Sequence, residues 1–274
     1  MFKNLFLFGF SPLFKKITEL PIVSSLDVYI ITSPRQFPAY QAFSFAENIK
    51  LKSFNSLSEE TFKELPICQG NSLGFSMGSP FIFTQSDIDR FGSNLFNSHG
   101  APLPEFKGGG GFSWRILQGD KRGASLVHRV SCKIDEGDTV FRKDFKFSNE
   151  DRLPVHYEAK QCIEDEKNII PWLNNILLKG ITKSTKVNND IELINQPETY
   201  FPRLITNIHG YIDWTNNIND LEKTIFAFSY PYQGASTFIK GSKLMILDCK
   251  VCRRQYVHPF LIGLITKKTD DYIE

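Results

Sequence analysis

The chain has 274 residues, and its 32 Lys and Arg residues against 30 Asp and Glu residues give a formal net charge of +2. Hydrophobic residues make up 41% and charged residues 23%, a composition that is typical of globular proteins and excludes a disordered or collagen-like chain. The near-neutral charge gives no indication of a nucleic-acid or anionic-membrane partner, because such binding depends on an excess of Lys and Arg. The length allows one large domain or two unequal ones.

The first apolar stretch does not predict a membrane segment. Residues 5–14 are interrupted by Gly9, Ser11 and Pro12, so the stretch is too short to span a bilayer. It also lacks the small-residue cleavage site of a signal peptide. We therefore expect a cytoplasmic protein with no membrane partner.

The five cysteines do not indicate a secreted disulfide framework, because their number is odd and they are scattered through a long chain. Cys249 and Cys252 have the spacing of half a zinc site, but no second pair completes four ligands. We expect no metal site.

The first half of the sequence alternates short apolar strands with amphipathic helices. A strand at residues 5–8 precedes a turn and a helix, and residues 27–32 form a second β-branched run. Ser58 opens another helix, with acidic residues in its first turn. This alternation predicts a mostly parallel sheet covered on both faces. No GxGxxG motif follows the first strand, which disfavours a dinucleotide site.

Polar residues lie at the end of a strand predicted at residues 93–97, ahead of a Pro- and Gly-rich loop. Asn97 and His99 can converge on one point, because side chains two apart on a strand face the same way. Runs at residues 125–132 and 139–147 predict a hairpin or neighbouring pair, with Asp135 in the connecting loop. Ligands bind at the carboxyl ends of strands in open α/β sheets.

These residue types suit acyl transfer. A neutral imidazole can accept and return a proton, a carboxamide can stabilise an oxyanion, and a carboxylate can orient the histidine. Because no Ser or Cys sits in a nucleophile elbow, direct transfer between two bound substrates is favoured over a covalent intermediate. On spacing alone, however, an Asn-x-His at a strand end is more often a turn with a hydrogen-bonded histidine.

The rest of the chain predicts a second, smaller part. Residues 149–178 have a helical pattern that Pro171 interrupts, and residues 182–190 resemble a linker. Short strands and turns follow at residues 211–214, 231–235 and 243–247. We expect a catalytic domain at 1–181, a linker at 182–199 and a small β-rich carboxyl-terminal domain at 200–274.

The stretches NSHGAPLP (97–104), KGGGGFSWRILQG (107–119) and IDEG (134–137) together resemble the folate-dependent formyltransferase family. Its members include methionyl-tRNA formyltransferase, glycinamide ribonucleotide transformylase and the sugar-nucleotide N-formyltransferases. The resemblance covers residues 1–180, and residues 211–214 and 231–235 are similar to the small carboxyl-terminal domain of the tRNA and sugar members. Lys107 stands where an Arg is usual. The glycines followed by Ser-Trp are most like the enzymes that formylate dTDP-4-amino-4,6-dideoxyglucose or its 3-amino relative.

The resemblance implies a Rossmann-like formyltransferase domain that moves a formyl group from N10-formyltetrahydrofolate to the amine of a nucleotide-linked amino sugar, for O-antigen or other surface-glycan synthesis. His99 would remove a proton from the amine, and Asn97 would hold the oxyanion of the tetrahedral intermediate. Asp135 would position His99 and assist protonation of the departing folate nitrogen. Family analogy also suggests a homodimer.

The resemblance also implies binding residues. The folate pocket would be formed largely by backbone, although residues 76–83 also fit an ordinary buried strand and turn. Gly108 to Gly111 fit either a phosphate cradle or a flexible lid. Trp114 suits the core as well as a sugar site, and Arg203 suits solvent as well as a pyrophosphate. His128, His156, His209 and His258 have no ligand spacing and are interpreted as structural. The candidate folate-binding residues are Met77, Ser79, Pro80, Phe81, Phe83, Cys132, Lys133 and Ile134, and the candidate acceptor-binding residues are Gly109, Gly110, Trp114 and Arg203.

Three alternatives stay open. Methionyl-tRNA formylation is disfavoured by the near-neutral charge. Hydrolysis of formyltetrahydrofolate would use water in place of an amine. A non-catalytic folate or nucleotide-sugar binding module is disfavoured by the presence of Asn97, His99 and Asp135.

Overall fold

The structure is a computed structural model that describes residues 1–109, 111–181, 198–251, 263–265 and 267–269. Its strands are β1 (Asn4–Gly9), β2 (Asp27–Thr32), β3 (Ile49–Ser53), β4 (Ser72–Met77), β5 (Leu95–His99), β6 (Lys107–Gly108), β7 (Arg122–Arg129), β8 (Thr139–Lys146), β9 (Tyr200–Phe201), β10 (Ala235–Ile239) and β11 (Ser242–Ile246). Its α-helices are α1 (Leu13–Thr18), α2 (Phe37–Tyr40), α3 (Glu59–Lys63), α4 (Gln85–Phe91), α5 (Gly111–Gln118), α6 (Pro154–Lys179), α7 (Thr206–His209) and α8 (Ile218–Ala227), and a 3₁₀ helix spans Pro21–Ser25.

Seven strands form the main sheet, in the order β3-β2-β1-β4-β5-β7-β8. The first five positions in this order are parallel to one another. β7 is antiparallel to β5, and β8 is antiparallel to β7. The predicted mostly parallel sheet is therefore confirmed, and its antiparallel edge is formed by the hairpin that carries Asp135.

The central strand β1 is buried on both faces, which explains why its sequence is continuously apolar. Leu5 and Leu7 belong to one core cluster, whereas Phe6 and Phe8 belong to another. Successive side chains on a strand alternate between faces, so these two clusters lie on opposite sides of the sheet. Burial of each such side chain contributes roughly 1.5–3 kcal/mol, which fixes the register of the strand.

Helices cover both faces of the main sheet. Ile169, Leu173 and Ile176 of α6 pack in the cluster that contains Leu5 and Leu7. The opposite cluster is rich in phenylalanine, with Phe91 of α4 edge-on to Phe6 at 5.6 Å between ring centroids. Edge-to-face contacts of this kind fill a core densely, which accounts for part of the 25 phenylalanines of the chain.

The predicted helix at Ser58 is confirmed, since the Ser58 hydroxyl caps α3 by accepting from the Thr61 N–H at 3.3 Å. The predicted interruption at Pro171 is wrong, because α6 continues through this residue. A proline inside a helix removes one hydrogen bond, and the burial of Ile169 and Leu173 on either side of it offsets this loss. Among the helices that the structure describes, none is long and apolar enough to cross a membrane.

The chain forms two compact units. The first comprises Met1–Gly111, Arg122–Phe147 and Ala159–Phe201, and the second comprises Phe112–Lys121, Ser148–Glu158 and Pro202–Glu274. The main sheet lies entirely in the first unit. The boundaries 1–181, 182–199 and 200–274 stay a prediction, and residues 182–197 of the predicted linker lie outside the described residues.

The second unit contains a small hairpin of β10 and β11, which are antiparallel. Lys240 and Gly241 form its two-residue turn with φ of 48° and 81°, the left-handed conformations that a tight hairpin turn requires. Small antiparallel strands in the carboxyl-terminal part are thus confirmed, with β11 at the run predicted at residues 243–247, whereas the run at residues 231–235 only leads into β10. The same unit also contains α8, which begins after Asn217, whose side-chain oxygen accepts from the N–H groups of Asn219 and Asp220 at 3.1 Å.

Candidate active site

The strand β5 positions the first two residues of the candidate site. It begins two residues later than predicted and includes His99 itself. Asn97 and His99 are half-buried on one face, while Ser98 between them is buried on the other. β5 is parallel to β4, with Ser98 opposite Met77, so these residues lie at the carboxyl edge of the parallel strands.

The loop between β7 and β8 folds back tightly to carry Asp135. Asp135 has φ of 55°, a left-handed conformation that Asp and Asn tolerate better than most residues. A Cβ atom at Gly137 would lie 1.7 Å from the carbonyl oxygen of Arg129, so only glycine fits there. The N–H of Arg129 donates to the carbonyl of Asp138 at 2.9 Å, which closes the base of the loop.

The carboxylate of Asp135 is the centre of the cluster. Its Oδ2 accepts from the N–H of Gly108 at 2.9 Å and lies 3.6 Å from Nδ1 of His99. Its Oδ1 lies 3.4 Å from Nε2 of His128. Burial raises the pKa of Asp135, but the hydrogen bond with His128, the charge of His99 and the Gly108 N–H outweigh it and lower the pKa to about 2. Asp135 is therefore ionised at neutral pH.

The imidazole of His99 is hydrogen-bonded at one ring nitrogen and faces Asp135 with the other. Its Nε2 lies 2.7 Å from the carbonyl oxygen of Phe106, and its side chain is only 13% exposed. Because a carbonyl oxygen only accepts, Nε2 carries a proton and Nδ1 is the nitrogen that exchanges one. A proton on Nδ1 would face the ionised Asp135, so the arrangement suits a general base whose charged form is stabilised.

His128, which the sequence analysis interpreted as structural, also lies in this cluster. It lies opposite Asn97 in the antiparallel pairing of β5 and β7, and its Nε2 is 3.1 Å from Nδ2 of Asn97. Its side chain is 3% exposed. The spacing of potential ligands along the sequence does not single out His128. The sequence feature that indicates its place is its position on the first strand of the hairpin that carries Asp135.

The glycine-rich loop begins with the short strand β6, which pairs with β9. The N–H of Gly108 donates to Asp135, and the N–H of Gly109 donates to the carbonyl of Phe201 at 3.1 Å. These two amides therefore already have acceptors within the protein. The role of Gly109 in acceptor binding stays a prediction, and Gly110 lies outside the described residues.

Lys107, which precedes the glycines, is buried and fully paired. Its Nζ lies 2.9 Å from Glu198 and 3.3 Å from Glu136. The hydrogen bond to Glu198, reinforced by Glu136, raises its pKa above the ordinary value. The ammonium group of Lys107 therefore forms an ion pair with Glu136, the residue after Asp135, at the start of the glycine-rich loop.

The candidate folate-binding residues occupy two segments of different exposure. In the first, Met77 and Phe83 are buried, and the ring of Phe83 is edge-on to that of Phe8 at 5.1 Å. Pro80 is exposed, while Ser79 and Phe81 are half-buried, with the Ser79 hydroxyl accepting from the Phe81 N–H at 3.1 Å. The second segment, formed by Cys132, Lys133 and Ile134, is exposed and leads directly to Asp135.

Two candidate acceptor-binding residues lie in the second unit. Trp114 is on α5, and its Nε1 donates to the carbonyl of Pro202 at 2.8 Å. Arg203 is exposed. Their roles stay predictions.

The part of the chain that the structure describes contains no candidate metal site. There, no group of three or more His, Cys, Asp or Glu side chains is placed to hold an ion. Burial raises the pKa of the Cys249 thiol to about 11. Cys252 and His258 lie outside the described residues.

A family model for the formyl transferase carboxyl-terminal domain matches residues 204–273. Among curated proteins, the chain is 26% identical over 229 residues to a methionyl-tRNA formyltransferase from Prochlorococcus marinus subsp. pastoris, a match that covers 81% of this chain and 62% of the relative. The first curated relatives are covered over 25% to 62% of their own length.

Solved structures show the fold. A sugar N-formyltransferase from Shewanella matches with a TM-score of 0.68 and 15% identity, covering 92% of this chain and 99% of that one. WlaRD, a sugar 3N-formyltransferase solved in the presence of dTDP and 5-N-formyl-THF, matches with a TM-score of 0.63 and 18% identity, covering 89% and 85%. The chain is thus an α/β protein with a Rossmann-like formyltransferase fold. Its predicted resemblance to the folate-dependent formyltransferases, and among them most to the sugar-nucleotide members, is confirmed.

Proposed function

We propose that the protein is an N-formyltransferase that moves the formyl group of N10-formyltetrahydrofolate to the amine of a nucleotide-linked amino sugar. The observation that carries this proposal is the convergence of Asn97, His99 and Asp135 at the carboxyl edge of a formyltransferase sheet. The folate donor supplies an activated formyl carbon that the acceptor amine attacks. The dTDP-linked 4-amino-4,6-dideoxy sugar implied by the sequence is the first acceptor to test.

His99 is the general base in this proposal. It takes a proton from the attacking amine at Nδ1, while Nε2 keeps its hydrogen bond to the carbonyl of Phe106. The ionised Asp135, 3.6 Å from Nδ1, stabilises the resulting imidazolium and holds the ring in place. The proton is then available for the folate nitrogen that leaves when its bond to the formyl carbon breaks.

Asn97 stabilises the formyl oxygen. Its Nδ2 group donates hydrogen bonds, and the oxygen gains negative charge as the amine nitrogen bonds to the formyl carbon. The side chain is half-buried, so a hydrogen bond from it acts in a medium of lower dielectric than water. A preorganised donor of this kind is worth about 3 kcal/mol of barrier in comparable sites.

The residues around Asp135 fit a flat heterocycle with polar edges. Cys132, Lys133 and Ile134 are exposed beside the reacting carboxylate, and the carbonyl of Lys133 accepts from the Ser131 hydroxyl at 2.9 Å. The side chain of Ile134 is 46% exposed and offers an apolar contact. Met77 ends the strand next to β5, which brings the segment after it to the same edge of the sheet.

A sugar nucleotide is the favoured acceptor for two reasons. The formal net charge of +2 provides little of the excess of Lys and Arg that binding of a whole tRNA depends on. The N-formyltransferase from Helicobacter canadensis, which has a TM-score of 0.61 and 17% identity to this chain, was solved with folinic acid and dTDP-3-aminofucose. Methionyl-tRNA is the second candidate, because a curated relative that matches 81% of this chain is a methionyl-tRNA formyltransferase.

One incubation series separates these functions. The protein is mixed with N10-formyltetrahydrofolate and, in turn, with dTDP-4-amino and dTDP-3-amino sugars, GDP-amino sugars, initiator Met-tRNA or no acceptor, and products are identified by mass spectrometry. We expect formylation of a dTDP-amino sugar. Turnover with Met-tRNA alone would establish the second candidate, and tetrahydrofolate release without an acceptor would indicate a hydrolase. Binding of the dTDP-amino sugar without turnover would leave only a binding module.

A further inference from the structure

Lys107 lies between two candidate catalytic side chains in the hydrogen-bond network, yet none of the proposed chemical steps uses it. The carbonyl oxygen of Phe106, just before it, lies 2.7 Å from Nε2 of His99. The N–H of Gly108, just after it, donates to Oδ2 of Asp135 at 2.9 Å. The two peptide groups that flank Lys107 therefore hold both side chains, and the placement of this one residue affects each of them.

The backbone of β6 is held in place by β9. The N–H of Lys107 donates to the carbonyl of Thr199 at 3.0 Å, and the N–H of Gly109 donates to that of Phe201 at 3.1 Å. The rings of Phe106 and Phe201 also stack, with 5.1 Å between their centroids. None of these contacts involves the loop between β7 and β8, so they hold β6 without holding that loop.

The side chain of Lys107 joins β6 to the loop between β7 and β8. Its Nζ lies 3.3 Å from Oε1 of Glu136, the residue after Asp135, and 2.9 Å from Oε2 of Glu198. This side chain is 8% exposed, and a buried ammonium is unfavourable unless carboxylates pair with it. Lys133 also lies 3.3 Å from Glu136, but it belongs to the same loop and is 74% exposed, so it cannot tie the loop to β6.

The contacts from β6 to this loop join adjacent residues on both sides. Lys107 pairs with Glu136, and Gly108 donates to Asp135. An ion pair attracts over a longer distance than a hydrogen bond and depends less on angle, so it brings the loop close enough for the hydrogen bond to form. We propose that Lys107 is a positioning residue that acts through Glu136 to hold the carboxylate of Asp135 beside the catalytic base, an inference that rests on the proposed function.

The kinetic test removes the ammonium group and keeps the length of the side chain. Lys107→Met leaves two carboxylates that are 37% and 70% exposed, so water can solvate both and we expect the variant to fold. We expect kcat to fall about 10-fold to 10²-fold, because a displacement of about 1 Å near a reacting group has a cost of that order. Lys107→Arg keeps the charge and should keep most of the activity. A loss in Lys107→Arg equal to that in Lys107→Met would contradict the proposal.

Lys52→Met is the matched control for the loss of a lysine ion pair. Lys52 lies on β3, an edge strand of the main sheet, and its Nζ is 3.1 Å from Glu64. We expect this variant to have normal kcat. An equal fall in both variants would show that the loss of any such ion pair lowers activity and would overturn the proposal.

Hydrogen exchange separates positioning from a general loss of stability and does not depend on turnover. Two neighbouring amides report on different contacts, since that of Gly108 is bonded to Asp135 and that of Gly109 to Phe201. In ¹H–¹⁵N spectra of the full-length protein, we expect Lys107→Met to reduce the protection of Gly108 about tenfold relative to Gly109, because only the contact with the loop is weakened. Equal loss of protection at both glycines, or none at Gly108, would refute the positioning role.

Glu136→Met removes the same ion pair from its more exposed side, so it tests the proposal even if Lys107→Met does not fold. It should cause the same selective loss of protection at Gly108, and its absence would count against the proposal. In the Glu136→Met background, Lys107→Met should lower kcat no further, whereas losses that multiply would show that Lys107 does not act through Glu136. If no acceptor is formylated but protection is lost selectively at Gly108, the proposed function has failed and the positioning of Asp135 has not.

Discussion

Nδ1 of His99 lies 3.6 Å from Oδ2 of Asp135, and the opposite nitrogen of the same ring lies 2.7 Å from the carbonyl of Phe106. The two side chains are 13% and 11% exposed, so the pair is largely shielded from water. A ring held in this way gains and loses a proton without changing position. The relationship therefore makes His99 the base of the proposed reaction and Asp135 the charge that supports it.

Replacing His99 removes the proton acceptor. We expect His99→Ala to lower kcat by about 10²–10⁴-fold, as is usual when a general base is lost, with the fold intact. The measurement is steady-state formylation of the acceptor identified in the incubation series. His209→Ala is the matched control, because His209 is exposed in the second unit, and it should have normal kcat. Near-normal turnover by His99→Ala would remove this residue from the mechanism.

Replacing Asn97 removes the donor to the formyl oxygen. We expect Asn97→Ala to lower kcat by about 10²–10³-fold while the Kd of the folate donor stays near that of the unchanged protein. The control is Ser98→Ala, whose side chain points to the other face of β5 and which should keep its activity. An Asn97→Ala enzyme that loses folate binding in place of turnover would contradict the assigned role.

The fold could be predicted from the sequence wherever burial requires a run of apolar residues. Residues 5–8 of β1 and 28–31 of β2 are continuously apolar because both faces of these strands are covered, and such runs can be identified without any knowledge of the contacts. The interruption expected at Pro171 did not occur, because the packing of Ile169 and Leu173 compensates for one lost hydrogen bond. Propensity is local, whereas this packing arises only once the sheet is formed.

The residues of the candidate site could be predicted from the sequence only in part. The spacing of Asn97 and His99 reveals their common face, but Asp135 became a candidate chiefly through the family resemblance. Its approach depends on a left-handed residue and a glycine packed against backbone, neither of which periodicity reveals. His128 was missed because its position opposite Asn97 depends on strand register, and the pairing of β7 with β8 shifts between Val127 and His128.

The lowered pKa of Asp135 predicts a pH-dependent stability. A carboxyl whose pKa falls from 3.8 to about 2 on folding stabilises the folded state fully above pH of about 4, and this contribution disappears as the pH falls toward 2. Its size is about 2 kcal/mol. Asn tolerates the φ of 55° at this position, so Asp135→Asn isolates the charge.

We expect Asp135→Asn to lower the free energy of unfolding by about 2 kcal/mol at pH 7 and by progressively less between pH of about 4 and 2. Urea unfolding of both proteins at several pH values measures this difference. A gap that stays constant down to the lowest pH at which the protein folds would show that the charge of Asp135 is not stabilised by its neighbours. The same variant should also have reduced kcat, since His99 loses its counter-charge.

Gly137 tests whether the loop places Asp135. A Cβ at this position would lie 1.7 Å from the carbonyl oxygen of Arg129, so Gly137→Ala must shift the loop, and a displacement of about 1 Å at a reacting group can cost about 10²-fold in rate. We expect kcat to fall by that order. Gly100→Ala is the matched control: Gly100 follows His99 directly, but its Cβ would lie 3.7 Å from Cγ of Gln161, an ordinary contact. Comparable activity in the two variants would mean that the position of Asp135 does not depend on this close backbone approach.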